Sequence, residues 1–216
     1  MGQTSNELRG LLLMTSSKGY RPFLVLCALV LVLILAVATI SFFWPKYETK
    51  FFELGLLGSA KTADNYFPNN SSDVGVGYNI PWFIYVGNHM GSVQNIAVRL
   101  KLLNSTMQAP IDQEHKPSPY PYFFELPTSL SVDEKRLIPL SWSVSKVVTQ
   151  KSSTTIKQLV VNGKITNLDV TSVSDNRFRI VFELWVYDSV SNQYVFLWSS
   201  GKDFYSASLY MWFRLK

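Results

Sequence analysis

The feature that most constrains this chain is the run FLVLCALVLVLILAVATISFFW, Phe23 to Trp44, in which Thr39 and Ser41 are the only polar interruptions and no residue is charged. Its 22 positions make a helix of about 33 Å, enough to cross a hydrocarbon core of about 30 Å. Pro22 is tolerable at a helix start, where its missing N–H would be unpaired anyway. Pro45 stops the helix where Phe42, Phe43, Trp44 and Tyr47 reach headgroup level. One transmembrane helix is therefore expected over 23–44, after a short polar tail, 1–22, with one apolar cluster at Leu11 to Met14. Ala36-Val37-Ala38 has the spacing of a signal cleavage site. The apolar run, however, exceeds the roughly 7–15 residues of a signal core and continues past the cut, so an uncleaved signal anchor fits better.

Flanking charge does not orient the helix, because Arg9, Lys18 and Arg21 before it balance Lys46, Lys50 and Lys61 after it. Asn69, Asn70 and Asn104 each open an N-x-[ST] acceptor, which favours a domain 45–216 outside the cytoplasm. The single cysteine, Cys27, falls inside the apolar run. The rest of the chain must then hold together by burial without disulfides, and it has no thiolate for catalysis or metal. Lys and Arg outnumber Asp and Glu by 20 to 15, but the surplus is scattered, which argues against nucleic acid and against a polybasic lipid patch.

Beyond the apolar run no stretch keeps a helical period, whereas short runs rich in Val, Ile, Phe, Tyr and Trp recur between turn signals. KFFELGLLG and YNIPWFIYVGN come first, with Pro81 marking an edge or a bulge. In SVQNIAVRLKLL, Val93, Ile96, Val98, Leu100 and Leu102 should face a core, leaving Arg99 and Lys101 on a wet face. The proline-rich segment Ser105 to Tyr122 reads as a long surface loop. RLIPLSWSVSKVVTQ follows, then IKQLVV and KITNLDV as a hairpin around Asn162-Gly163, a pair suited to a type I′ turn. RFRIVFELWVYD, QYVFLWSS and DFYSASLYMWFRLK complete about eight strands. The fold expected is all-β, an antiparallel immunoglobulin-like β-sandwich behind one N-terminal transmembrane helix, with a closed barrel second.

Candidate chemistry is sparse. His89, one of two histidines, lies in Asn88-His89-Met90-Gly91, which reads better as a turn than as the edge of an active site. Asp112, Glu114 and His115 form the one His–carboxylate cluster, and zinc would need more protein ligands than the chain offers. Ser145-Lys146 and Ser206 lack the surroundings of a serine nucleophile. Gly75 and Gly77 suit a turn or bulge better than a phosphate loop. The aromatics Tyr120, Tyr122, Phe123, Phe124, Trp185, Tyr187, Trp198, Tyr205, Tyr210 and Trp212 divide between core positions and a candidate contact surface.

From Phe51 onward the chain resembles the opening of the mostly archaeal domain-of-unknown-function family 1616. Leu57-Gly58, Asp64, Tyr66, Pro68, Gly75, Gly77, Gly87, Asn88 and His89 fit that family's pattern, and FRIVFELWVYD is similar to its later strand. Phe67, inserted before Pro68, and Met90, where an acidic residue is usual, depart from it. The resemblance implies an extracytoplasmic β-domain on a membrane anchor, with no established catalytic residues. Family members often carry several membrane helices where this chain has one.

The sequence thus points to a single-pass cell-surface protein, not an enzyme and without cofactor or metal, that works by protein or glycan contact at the cell envelope. The alternative is an accessory subunit whose β-domain caps partners in a membrane complex.

Overall fold

A computed structural model describes residues 20–43, 50–173 and 175–216. The expected tail, Trp44, Pro45 and Tyr47 lie outside the described residues, apart from the tail's last three positions, which begin a helix. The chain divides into two units, 1–48 and 49–216.

In the first unit the apolar run forms α1, Tyr20–Phe43, and among the described residues it is the one helix long and apolar enough to cross a membrane. The Thr39 hydroxyl lies 2.9 Å from the Leu35 carbonyl and 2.8 Å from that of Ala36. Its donor is thereby satisfied within the helix.

The second unit is an immunoglobulin-like sandwich of two sheets. Its strands are β1 (Phe52–Leu57), β2 (Asp73–Val74), β3 (Ile80–Asn88), β4 (Gln94–Asn104), β5 (Phe124–Leu130), β6 (Lys135–Gln150) and β7 (Ser153–Val161). They continue as β8 (Lys164–Val173), β9 (Arg177–Asp188), β10 (Gln193–Val195), β11 (Trp198–Ser200), β12 (Asp203–Tyr205) and β13 (Ser208–Leu215). Sheet I runs β1-β3-β6-β7-β8; sheet II runs β2-β13-β9-β4-β5, with β10 extending the β13 side of β9, and β11 and β12 pair separately. All pairings are antiparallel except β2 with β13. The larger-than-expected strand number comes from the short β2, the proline-bearing β5, and the runs QYVFLWSS and DFYSASLYMWFRLK, each expected as one strand and each broken into two.

Between the sheets Trp82 and Trp142 of sheet I meet Phe182 and Phe213 of sheet II, at ring separations of 5.1–6.0 Å. These side chains are fully buried. Each contributes about 1.5–3 kcal/mol by leaving water.

Two prolines sit in strands, and the registers explain both. β3 lies inside sheet I, although an edge or bulge is what Pro81 leads one to expect at its start. β1 pairs only with Phe83 to Asn88, however, so Pro81 lies past the end of β1. Its partner Ser141 gives its N–H to the Asn162 side chain, on the β7 side. Pro81 therefore has no ladder donor to supply. β5 escaped the sequence reading because of Pro127, which is tolerated because β5 is the free edge of sheet II. At the expected hairpin, Asn162 and Gly163 have φ of 47° and 77°, and Val161 faces Lys164, as a type I′ turn requires.

The wet face expected for β4 is not wet. Lys101 is 4% exposed, and Ala97 and Leu103 on the same face are buried. The strap Ser105–Phe123 and the aromatic side chains of β9, β10 and β13 cover it. Val93, assigned to the core face, lies instead in the β3–β4 turn and is exposed.

Candidate binding site

Along β4 and β9 the outward residues of sheet II are registered as Ala97 with Trp185, Arg99 with Glu183, Lys101 with Val181 and Leu103 with Arg179. Across β13, Tyr210 faces Val181 and Trp212 faces Arg179. One carboxylate and three cations of β4 and β9 thus share a face with three aromatics of β9 and β13.

At its centre Glu183 and Lys101 form a buried ion pair, 2.9 Å between Oε2 and Nζ. The same carboxylate accepts the Trp185 indole N–H at 3.0 Å and the Ser118 backbone N–H at 2.8 Å. Lys101 also donates to the Ser118 carbonyl at 2.6 Å. Every strong bond of the pair is thus to the strap or to a neighbour on the sheet, the condition under which a buried pair is tolerated. The strap is tied down at other points as well. Arg179 donates to the Met107 carbonyl at 2.6 Å while lying over the rings of Trp212 and Tyr210; burial pushes its guanidinium pKa down from its usual value. Ser208 donates to the Asp112 carboxylate.

Beside this closed region the face is open. Arg99 pairs with Glu125 at 2.7 Å and lies under the rings of Trp185 at 4.1 Å and Tyr122 at 4.7 Å. Tyr122 is also one wall of a cleft of about 630 Å³. Tyr120 to Phe123 of the strap form one side, Thr166 to Val170 of β8 the other, and Leu102 and Met107 reach in from β4 and the strap. β8 is the free edge of sheet I. In a two-residue type I′ hairpin the flanking pair, Val161 and Lys164, exchanges both backbone bonds. The registered residues Ile165 and Asn167 therefore turn their N–H and C=O outward along the cleft. The Thr171 carbonyl is taken by Asn104 Nδ2 at 2.6 Å.

The structure separates the residues marked in the sequence. Asn88 is the buried end of β3 and has no left-handed φ. Its Nδ2 reaches the carbonyls of Ser92, Leu130 and Ser131 at 2.9–3.1 Å, and its Oδ1 accepts the Met90 N–H at 3.0 Å. The tight bend falls to Gly91, with φ 72°. His89 stacks on Phe51 at 4.5 Å. Its Nδ1 lies 3.3 Å from Asp133 and its Nε2 3.2 Å from Glu53, the latter out of line for a hydrogen bond. Glu53 and Lys135 meet over Gly87, where a Cβ would come within 2.8 Å of the Glu53 carboxylate. The Tyr85 hydroxyl donates to Glu53 and lowers its pKa, while that bond raises the phenol's own.

His115 and Ser206, distant in sequence, are brought together at 3.3 Å. The Ser206 hydroxyl donates its one proton to the Asp112 carbonyl. In that arrangement the imidazole is the donor between the two. Ser145 sits at a bulge in β6, held by Gln158, and Gly75 and Gly77 form the turn closed by the Tyr78 N–H on the Gly75 carbonyl. Among the described residues no three His, Cys, Asp or Glu side chains gather as metal ligands. Asn69 and Asn70 are exposed, whereas Asn104 is half-buried and its amide braces the strap.

The Lys101–Glu183 pair was missed in the sequence. The lone acid inside the apolar run RIVFELWV was its available signal.

No protein-family model matches the chain, and no curated protein matches it. Its likeness is to solved structures. One is the CARDB domain of a Pyrococcus furiosus protein, solved in complex with di-metal ions, at 12% identity and TM-score 0.39 over 79% of this chain and 96% of that one. Another is the C-terminal domain of Wzt, at 4% identity and TM-score 0.33 over 77% of this chain and 78% of that one. At these scores the two-sheet architecture rests on the strand pairing of this chain itself.

Proposed function

We propose that the chain is a single-pass membrane protein whose β-sandwich stands outside the cytoplasm as a binding module of the cell envelope, with no catalysis of its own. The cleft between Tyr120–Phe123 and β8 carries this reading. Its volume lies in the range of ligand sites, about 300–1,000 Å³, and it offers aromatic walls with few polar groups, Thr166, Asn167 and Asp169 among them. Tyrosine faces suit either a sugar ring or a peptide side chain. The use of His89, His115 and Ser206 as braces supports a non-enzymatic role.

Membership of archaeal family 1616 belongs to the same proposal. It is supported by the structural work its matching residues do. The Tyr66 hydroxyl donates to the Leu56 carbonyl, and a Cβ on Gly58 would come within 2.1 Å of the Asp64 carbonyl oxygen.

The second reading, an accessory subunit, is favoured by the free backbone edge of β8 along the cleft, which can accept a partner strand. For both, a photo-crosslinking residue at Tyr122 of the full chain in native membranes should capture a defined partner that the same residue at Lys146 does not. Equal capture from the two positions would remove the cleft from consideration. Survival of the β-domain in intact cells treated with an impermeant protease would refute its placement outside.

A further inference from the structure

Five features of the β-domain converge on one end. The registers place the start of β1 beside the end of β3, the end of β3 beside the start of β6, and the start of β4 beside the ends of β5 and β9. The β3–β4, β5–β6 and β9–β10 turns therefore rise from the same end. The β11–β12 hairpin joins them through Trp198 on Phe52, and so does Lys50, whose N–H reaches Ser200.

Each of the three turns carries the same dipeptide, Ser92-Val93, Ser131-Val132 and Ser189-Val190, and each valine points into solvent, 65%, 47% and 93% exposed. Valine is a poor turn residue, because turns favour Gly, Asn, Asp, Ser and Pro for defined backbone reasons. Turn geometry therefore does not account for valine at three tips. Phe51, Leu197 and Phe204 are also exposed at this end. At the opposite end the β6–β7 and β8–β9 tips are polar, Lys151-Ser152 and Asp175-Asn176, and the apolar exposure is that of Val76 and Tyr78 in the single β2–β3 turn.

We infer that this end of the β-domain is a lipid-contacting surface, with the three valine-tipped turns inserting shallowly among headgroups. The inference rests on the reading of α1 as a membrane anchor. Lys50, at this end of the domain, follows Phe43 by seven residues in sequence, and seven residues reach at most about 25 Å. Single apolar side chains on separate, serine-flanked turns suit a fluid surface, while Leu197 and Phe204 join Met90, Val195 and Trp198 along a cleft of about 350 Å³ at the same end. Asp133, Glu134, Lys135, Asp188, Lys202 and Asp203 give this end mixed charge, so the attraction is apolar and needs no anionic lipid.

The test uses the full chain with Cys27→Ser in phosphatidylcholine nanodiscs. Single nitroxide labels go on Val93→Cys, Val132→Cys and Val190→Cys, with Lys151→Cys at the far end and Leu31→Cys in α1 as references. Collision with oxygen is compared with collision with a water-soluble nickel complex. The valine positions should show an oxygen-to-nickel ratio at least threefold above that at Lys151. If Leu31 reads as lipid and the valines match Lys151, the lipid surface is refuted and the anchor stands. A water-like reading at Leu31 removes the anchor, and the inference with it. Tips shielded from both reagents are buried in protein, which overturns the lipid assignment in favour of a protein contact.

Discussion

The outer faces of the two sheets carry similar residues and use them in opposite ways. On sheet I, Lys157 pairs with Asp169 and Gln158 with Asn167 in open solvent. On sheet II, Lys101 pairs with Glu183 beneath the strap, at 4% and 0% side-chain exposure. The alternation of polar and apolar residues along a strand is the same in both. What differs is the connection that follows. β7 turns into β8 through two residues, whereas β4 and β5 are separated by a segment long enough to fold back over its own sheet. A wet face and a second core are thus set by loop length and composition as much as by the strand.

The comparison breaks most sharply at the buried pair. Lys101→Ala should cost about 3–5 kcal/mol, because it leaves a carboxylate charged and dry, while Lys157→Ala should cost less than about 1 kcal/mol. Denaturation of the full chain in detergent, followed by tryptophan fluorescence, measures both, and equal losses would mean the strap does not exclude water. Lys101→Met with Glu183→Leu should recover the larger part of that loss but not all, since the Ser118 N–H and the Trp185 indole lose their acceptor.

Asn88→Ala comes next, at about 2–3 kcal/mol, because it strands the Met90 N–H and removes the tie from β3 to the β5–β6 turn. A loss under about 1 kcal/mol by the same measurement would show that water replaces the amide.

Tyr122→Ala, at the open margin of the strap, should cost only about 0.5–1 kcal/mol through its contact with Arg99. Its effect on partner capture should exceed its effect on stability.

The smallest effect is at the edge of sheet II, where Arg214 first and Lys216 second hold Asp73 at a pKa of about 2, below its ordinary 3.8. A depressed carboxylate contributes stability above its unfolded value and loses it as pH falls through the folded one. The stability difference between the wild-type chain and Asp73→Asn should therefore be constant above about pH 4–5 and shrink between about pH 4 and pH 2. A difference that widens over that interval would reverse the assignment.

The sandwich was legible because its central strands, β3, β4, β7 and β9, each carry a long β-branched and aromatic run between clear turns, and the Asn162-Gly163 hairpin followed from backbone chemistry alone. β2 and β5 were not legible, since two residues carry no period and Pro127 reads as a break until the edge position is known. The cleft was partly legible, through Tyr120 and Tyr122. Leu168, Asp169 and Asn104 became part of the same region only through pairings across the fold. Lys101 looked solvated because local sequence does not say what covers a face.

The place of β13 has a consequence for biosynthesis. It lies inside sheet II, between β9 and β2, so that Asp73 pairs with Arg214 across 141 positions of sequence. Until residues 208–215 are available, one long edge of β9 has no partner and β2 has nothing to join. Such distant pairings make folding slow, on the millisecond-to-second scale, and leave apolar edges open meanwhile. The β-domain is therefore built to fold as a whole after its last strand arrives, and a growing chain would need shelter for the β9 edge until then.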